Sequence, residues 1–153
     1  MTEELEAAIG KALLSFNALE TKLRVILVHL LGPDFSAAMM LVYDSSAVFE
    51  WVRRQLDGQV AQRVDSALSK DWHEFLERVG EVQRERHHVA HDLWVELDSE
   101  TLKRVRLRAT RVEQEYLKGD YVRELDRRIS DRFSELVDLQ DRLQAAGLFY
   151  SAP

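Results

Sequence analysis

The 153-residue chain contains no cysteine. Disulfides and thiolate metal sites are therefore excluded, and a reducing compartment such as the cytoplasm is the expected location. There are only two prolines, one of them the last residue, and six glycines. So few breakers imply long helices. No apolar run approaches the ~20 residues needed to cross a bilayer. The opening Met1-Thr2-Glu3-Glu4-Leu5-Glu6 is acidic where a secretion signal would be basic. The expectation is a soluble intracellular protein with no membrane partner. Net charge is −6, which argues against broad binding of nucleic acid through phosphate neutralisation but leaves room for a local basic site. A Gly-rich phosphate loop and Ser-His-Asp or Cys-His arrangements are also lacking.

The length suits one domain over residues 1–153, able to bury roughly 70% of the surface its unfolded chain would expose. Leu5, Ala8, Ile9, Ala12, Leu13, Phe16, Leu19, Leu23, Ile26, Leu27 and Leu30 recur at three- and four-residue steps. That spacing predicts one long helix from about Thr2 to Leu31, capped by Thr2 and ended by Gly32-Pro33. Asn17 and Glu20 interrupt its apolar face, and such residues need partners when buried. A second helix is expected over Phe35 to Tyr43 with Asp34 as its cap, a break or recap at Asp44-Ser45-Ser46, and a resumption from Ala47 to Leu56. Asp57-Gly58 is the next expected stop. A third long helix is expected from about Gln59 to Ala90, with a kink near Ser69-Lys70-Asp71.

After His91 the period changes to two. Leu93, Val95 and Leu97 alternate with Trp94, Glu96 and Asp98, and a second alternating run follows the turn at Asp98-Ser99-Glu100. Together they predict a small antiparallel hairpin. A last helix runs from Asp120 to about Ala146, stopped by Gly147. The predicted fold class is mainly α: an up-and-down bundle of about four main helices, with a small β-hairpin between the third and fourth.

Chemistry concentrates in Arg84-Glu85-Arg86-His87-His88-Val89-Ala90-His91-Asp92-Leu93-Trp94, which holds three of the five histidines. His87 and His91 are four apart and share a helical face. Arg84 lies near that face, and Arg86 is about 140° round from His91. A histidine titrating near neutral beside a fixed positive charge suits phosphate chemistry. The imidazole moves a proton while the guanidinium holds a phosphate oxygen. Three plainer readings compete: a solvated last turn that complements the helix dipole; a zinc or nickel site from His87 and His91, which lacks an evident third ligand; and a buried, structural His91. Further on, Arg104, Arg106 and Arg108 fall on one side of the second strand. They form either the charge-guarded outer face of an edge strand or a phosphate-backbone track leading to the helix end.

Arg86-His87-His88-Val89-Ala90-His91 resembles the arginine–polar–x–x–x–histidine signature of HEPN domains. Val89-Ala90-His91-Asp92-Leu93-Trp94 is similar to the hydrophobic-Ala-His-Gly-x-Trp run of many HEPN-like proteins, with Asp92 in place of glycine. Phe16-Asn17-Ala18-Leu19-Glu20 looks like part of their first helix. The resemblance implies a helical domain that dimerises and brings two motifs into one cleft. It implies a ribonuclease needing no metal or other cofactor, with RNA as substrate, of a kind found in toxin–antitoxin, defence or RNA-processing systems. An antitoxin or nucleotidyltransferase-like protein would be a further partner. Other members of the family are inactive or bind nucleotides, so a non-catalytic binding module is the alternative. Carried over, His91 is the acid/base, Arg86 the phosphate-binding group and His87 an orienting group, with Arg84 able to replace Arg86. Our own addition is that Glu20 pairs with Arg86 or Arg84 and fixes its direction.

Overall fold

The computed structural model describes residues 1–32, 34–43, 48–98 and 100–149. Among these the chain forms five helices and one three-stranded sheet. In order they are α1 (Glu3–Leu30), α2 (Phe35–Tyr43), α3 (Phe49–Ala61), α4 (Ser66–His91), β1 (Leu93–Asp98), β2 (Thr101–Leu107), β3 (Val112–Lys118) and α5 (Tyr121–Ala145). The mainly helical class agrees with the periodicity. The β element differs from expectation: it has three strands and lies between the fourth and fifth helices, because α2 and α3 are separate. The expected break at Asp44-Ser45-Ser46 lies outside the described residues.

Local chemistry explains most boundaries. The Leu5 amide donates to Thr2 Oγ1 at 3.3 Å, so Thr2 caps α1 as expected. Gly32, at φ 128°, takes the backbone conformation that follows the helix. Asp34 Oδ1 accepts from the Ala37 amide at 2.9 Å and caps α2. The expected stop at Asp57-Gly58 is not made: α3 runs on to Ala61. An interior glycine costs about 1 kcal/mol of helix propensity. Complete burial of Leu56 and Val60 on either side offsets it. The break falls instead at residues 62–65, where Asp65 Oδ1 accepts from the Leu68 amide at 2.8 Å and starts α4. Thereafter α4 is continuous through Ser69-Lys70-Asp71.

The chain divides into two compact units, Met1–Asn17 with Glu81–Ser130, and Ala18–Gly80 with Asp131–Pro153. In the second, Leu19, Leu23, Leu27, Leu56, Trp72, Phe75, Leu136 and Leu143 are fully buried or nearly so. The first combines the opening turns of α1, the closing turns of α4, the whole sheet and the opening turns of α5. Its core is Phe16, Val82, Val89, Leu102, Val122, Leu125 and Ile129. Trp94 is 8% exposed; its indole N–H donates to the Val89 carbonyl at 3.2 Å, and its ring stacks on Tyr121 at 5.9 Å.

The sheet is an antiparallel meander in the order β1-β2-β3. Trp94 lies opposite Arg104, Arg104 opposite Glu115, and Arg106 opposite Glu113. Strand β2 is thus the central strand, which corrects its reading as an edge. Among the described residues, no helix is long and apolar enough to cross a membrane.

Gly58 offers a direct check on the extended α3. A Cβ built there meets nothing within 4 Å. Gly58→Ala should stabilise the protein by about 0.5–1 kcal/mol, mainly by restricting the unfolded chain. Urea denaturation would show this as a higher midpoint; a lower one would contradict an open helical position.

Candidate functional site

The end of α4 places His87 and His91 together. Their ring centroids are 4.5 Å apart, with planes tilted by 50°, and both side chains are exposed. The reading of a buried, structural His91 is therefore corrected: four-residue spacing put it beside His87 on the solvent side of the last turn. His87 also faces His88, at 6.0 Å between centroids. Among the described residues, no third His, Asp or Glu joins this pair in a metal-binding group.

Arg86 is positioned from another helix. Its Nη2 donates to Asn17 Oδ1 at 3.2 Å, and its guanidinium carbon lies 5.7 Å from the Phe16 ring centroid, a cation–π distance. The Nε of Arg86 is buried and without a hydrogen-bond partner. An arginine clamped between an amide and an aromatic face has no anionic partner in either contact. Arg84 is exposed and makes no hydrogen bond or ion pair among the described residues.

Glu20, expected to hold Arg86 or Arg84, pairs among the described residues with Arg24 of its own helix. It accepts from Arg24 Nη2 at 2.7 Å and from Arg24 Nε at 3.0 Å, while Arg24 Nη1 donates to the Val42 carbonyl at 2.6 Å. The i,i+4 partner on the same helix is always within reach, and it wins over a partner distant in sequence. The partner of Arg86 is Asn17, one helical turn before Glu20. The signal for it was its polar side chain on an apolar face.

The basic residues of β2 are engaged as well. Arg106 donates from Nη2 and Nε to Asp92 at 3.1 and 3.3 Å, and Nη1 lies 3.7 Å from Glu113. Arg104 pairs with Glu115 and lies 3.6 Å from Asp92. Beyond the end of β2, Arg108 pairs with Glu113 at 3.4 Å, and Arg111 with the same carboxylate at 2.5 Å. The side chains of Arg104 and Arg106 are only 12% and 21% exposed. The arginine stripe thus belongs to the covered face of the sheet, on the side of Leu102. What the sequence reading missed was β3, whose Glu113 and Glu115 alternate at period two and answer the arginines across the strand pair.

Asp92 is the centre of this cluster. Its side chain is 6% exposed, and its charge is met by Arg106 and Arg104, with His88 Nδ1 3.7 Å away. Arg106 Nη2 also donates to His88 Nδ1 at 2.6 Å. That bond requires a neutral imidazole with its lone pair on Nδ1. Burial, followed by the nearby Arg106 and Arg104 charges, holds His88 below the usual histidine range. A second network lies beside it. Glu85 accepts from both ends of Arg128 at 2.7 and 2.5 Å, and from Tyr121 Oη at 2.9 Å. The Arg128 hydrogen bonds hold the Glu85 carboxyl below its ordinary value. Burial, with Glu85 beside it, pushes the Tyr121 hydroxyl up to about 12.

The end of α4 therefore offers an exposed imidazole pair, an unneutralised arginine held from α1, and a second exposed arginine. Such a set can take up and give protons and hold an anion. No family model, no curated protein and no solved structure matches the chain.

Two outcomes test the cluster. Asp92→Asn leaves two largely covered arginines short of a carboxylate and should cost about 2–3 kcal/mol in chemical denaturation; a change within 0.5 kcal/mol would show that Glu113 and Glu115 suffice. For His88 the folded pKa is depressed below the unfolded value of about 6.5. Above that value both states are neutral. As pH falls below it, the unfolded state takes the proton first, so stability is lost. His88→Gln should therefore lose less stability than wild type between pH 7 and pH 5; parallel curves would refute the assignment.

Proposed function

We propose that the chain is a HEPN-like ribonuclease that acts as a dimer, each chain supplying half of one site. The observation that carries this reading is the pairing of an anchored Arg86 with two exposed, mutually touching imidazoles in the last turns of α4. The resemblance brings with it an up-and-down arrangement of the helices, cytoplasmic location and a role in a toxin–antitoxin or defence system.

The chemistry is an in-line displacement within RNA. The ribose 2′-oxygen attacks the adjacent phosphorus and the bond from phosphorus to the 5′-oxygen breaks. A cyclic 2′,3′-phosphate and a free 5′-hydroxyl result. One imidazole takes the 2′-hydroxyl proton and a protonated one gives a proton to the departing 5′-oxygen. His91 is assigned this acid/base work, with His87 orienting it. Arg86 stabilises the negative charge that grows on the phosphoryl oxygens. Asn17 and Phe16 act through Arg86 as positioning residues. Such a fixed cation loses little freedom when the transition state forms.

The pairing of Arg104, Arg106 and Arg108 with carboxylates favours a second reading, a non-catalytic HEPN-like module that binds a nucleotide or a protein. It removes the basic track that would have drawn in an RNA backbone.

Cleavage of a broad RNA panel in excess chelator separates the two. Wild type should leave cyclic phosphate ends. His91→Ala should lose about 10²–10⁴-fold in rate, and Arg86→Ala about 10²–10³-fold. Asn17→Ala should fall between wild type and Arg86→Ala. Equal rates in all four proteins, or no cleavage by any, would remove the ribonuclease; tight nucleotide binding without turnover would then establish the module.

A further inference from the structure

The sheet is polarised in an unusual sense. Its covered face carries the ion-paired Arg104, Arg106, Glu113 and Glu115. The opposite face is apolar and open. Leu93, Val95 and Leu97 of β1 are 56%, 44% and 50% exposed, Leu107 of β2 67%, and Val112 and Tyr116 of β3 57% and 63%. Leu93 lies opposite Val105, and Leu107 opposite Val112, so these side chains form one surface across all three strands. Within the strands its polar members are Lys103, Gln114, Lys118 and Thr101, with Asp98, opposite Thr101, as a carboxylate at its edge. The Lys103 ammonium is folded over the Tyr116 ring at 6.0 Å.

We propose that this face is where a second copy of the chain docks, sheet against sheet about a two-fold axis. The proposal rests on the reading of the end of α4 as half of a two-chain site.

Three physical points select a second copy. In a two-fold contact the same patch meets itself, so a patch of one charge sign would repel its twin. This face carries both signs, Lys103 and Lys118 with Asp98, and its central lysine is laid on an aromatic ring, so it meets that condition. Size is the second point. Three strands about 4.8 Å apart, of six, seven and seven residues, cover roughly 320 Å² in projection. Side-chain relief makes the accessible area larger, and two such faces together approach the ~1,000 Å² that a specific interface needs. Packed sheets sit about 10 Å apart with their side chains interleaved, which suits Leu, Val and Tyr. Proximity is the third. Leu93 follows His91 by two residues, at most ~7 Å of extended chain. A copy that docks with the two-fold axis near Leu93 brings its own Leu93, and with it a second His91, to the neighbourhood of the first.

The test uses full-length protein with two complementary faces. One variant carries Val95→Glu with Leu107→Glu, the other Val95→Lys with Leu107→Lys. All four substitutions lie at exposed positions, and circular dichroism with thermal melting verifies folding. Solution mass is read by sedimentation over a concentration series. Wild type should be a dimer. Either variant alone should dimerise about a hundredfold more weakly, as like charges meet across the axis. An equimolar mixture should recover a mixed dimer. A monomeric wild type overturns the proposal. So does a dimer that both variants retain, which would move the contact to another surface, such as the uncharged α2 with exposed Met40 and Leu41. Loss in both variants without recovery on mixing overturns the face-to-face arrangement. RNA cleavage on the same samples separates this surface from the proposed chemistry. A chain that cleaves RNA while its dimer ignores the face substitutions loses the surface and keeps the site. A face-dependent dimer that cleaves nothing keeps the surface and loses the site.

Discussion

One carboxylate ties the end of α4 to the sheet. Asp92 follows directly on the last residue of the helix, and its amide still donates to the His88 carbonyl at 2.9 Å. Its side chain gathers Arg106, Arg104 and His88. A carboxylate at a helix C-terminus meets the negative end of the dipole and is unfavourable there by a few tenths of a kcal/mol to about 1 kcal/mol. Two arginines within 3.6 Å outweigh that cost. The exchange fixes the angle at which β1 leaves the helix, and so which face of the sheet is covered. It also decides the fate of His88. The imidazole accepts from Arg106 and is kept neutral, whereas His87 and His91 stay in solvent with no charged partner among the described residues.

From that choice follows the polarity of the whole sheet. Side chains alternate, so once Trp94, Arg104 and Arg106 turn toward the covered side, Leu93, Val95, Val105 and Leu107 must turn away. A one-residue slip would bury the aliphatic set and expose the arginines. It would also take Trp94 from its contact with Tyr121 and leave Asp92 without its cations. Cross-strand pairing with Glu113 and Glu115 adds to the same register. The apolar open face is thus a consequence of satisfying charge on the other.

Periodicity alone made the helices legible, and capping chemistry gave several of their ends. Thr2, Asp34 and Gly147 act where their side chains or backbone freedom said they would. The Asp57-Gly58 stop failed because burial around Val60 outweighs a glycine's cost, and burial is a tertiary quantity that a local signal does not contain. Strand β3 was overlooked for a related reason. Val112-Glu113-Gln114-Glu115-Tyr116-Leu117-Lys118 is polar for a strand, and its propensity makes sense only once the arginines opposite are counted. At the site, the touching His87 and His91 follow from spacing on one helix. The Arg86 anchor required knowing which turn of α1 lies beside α4. Asn17 and Glu20 are both polar interruptions of the same face, and local competition from Arg24 decides between them.

Neutralisation of the arginine stripe changes what can draw an RNA strand toward the end of α4. A free stripe would have offered Arg104, Arg106 and Arg108 in addition to Arg84 and Arg86, five cations in all. With the stripe paired, Arg84 and Arg86 are left at the end of α4 without a carboxylate partner among the described residues. Each phosphate neutralised on a single strand contributes about −0.7 to the slope of log affinity against log salt. Two such contacts give a slope near −1.4 by the same rule, less than half that of five. Attraction of that size, on a chain of net charge −6, supplies little general affinity for nucleic acid. Discrimination at the proposed site then has to come from contacts to bases or from a second chain that doubles the local charge. In the proposed dimer, two copies of Arg84 and Arg86 around one cleft would bring four cations to the proposed site without making the rest of the surface basic.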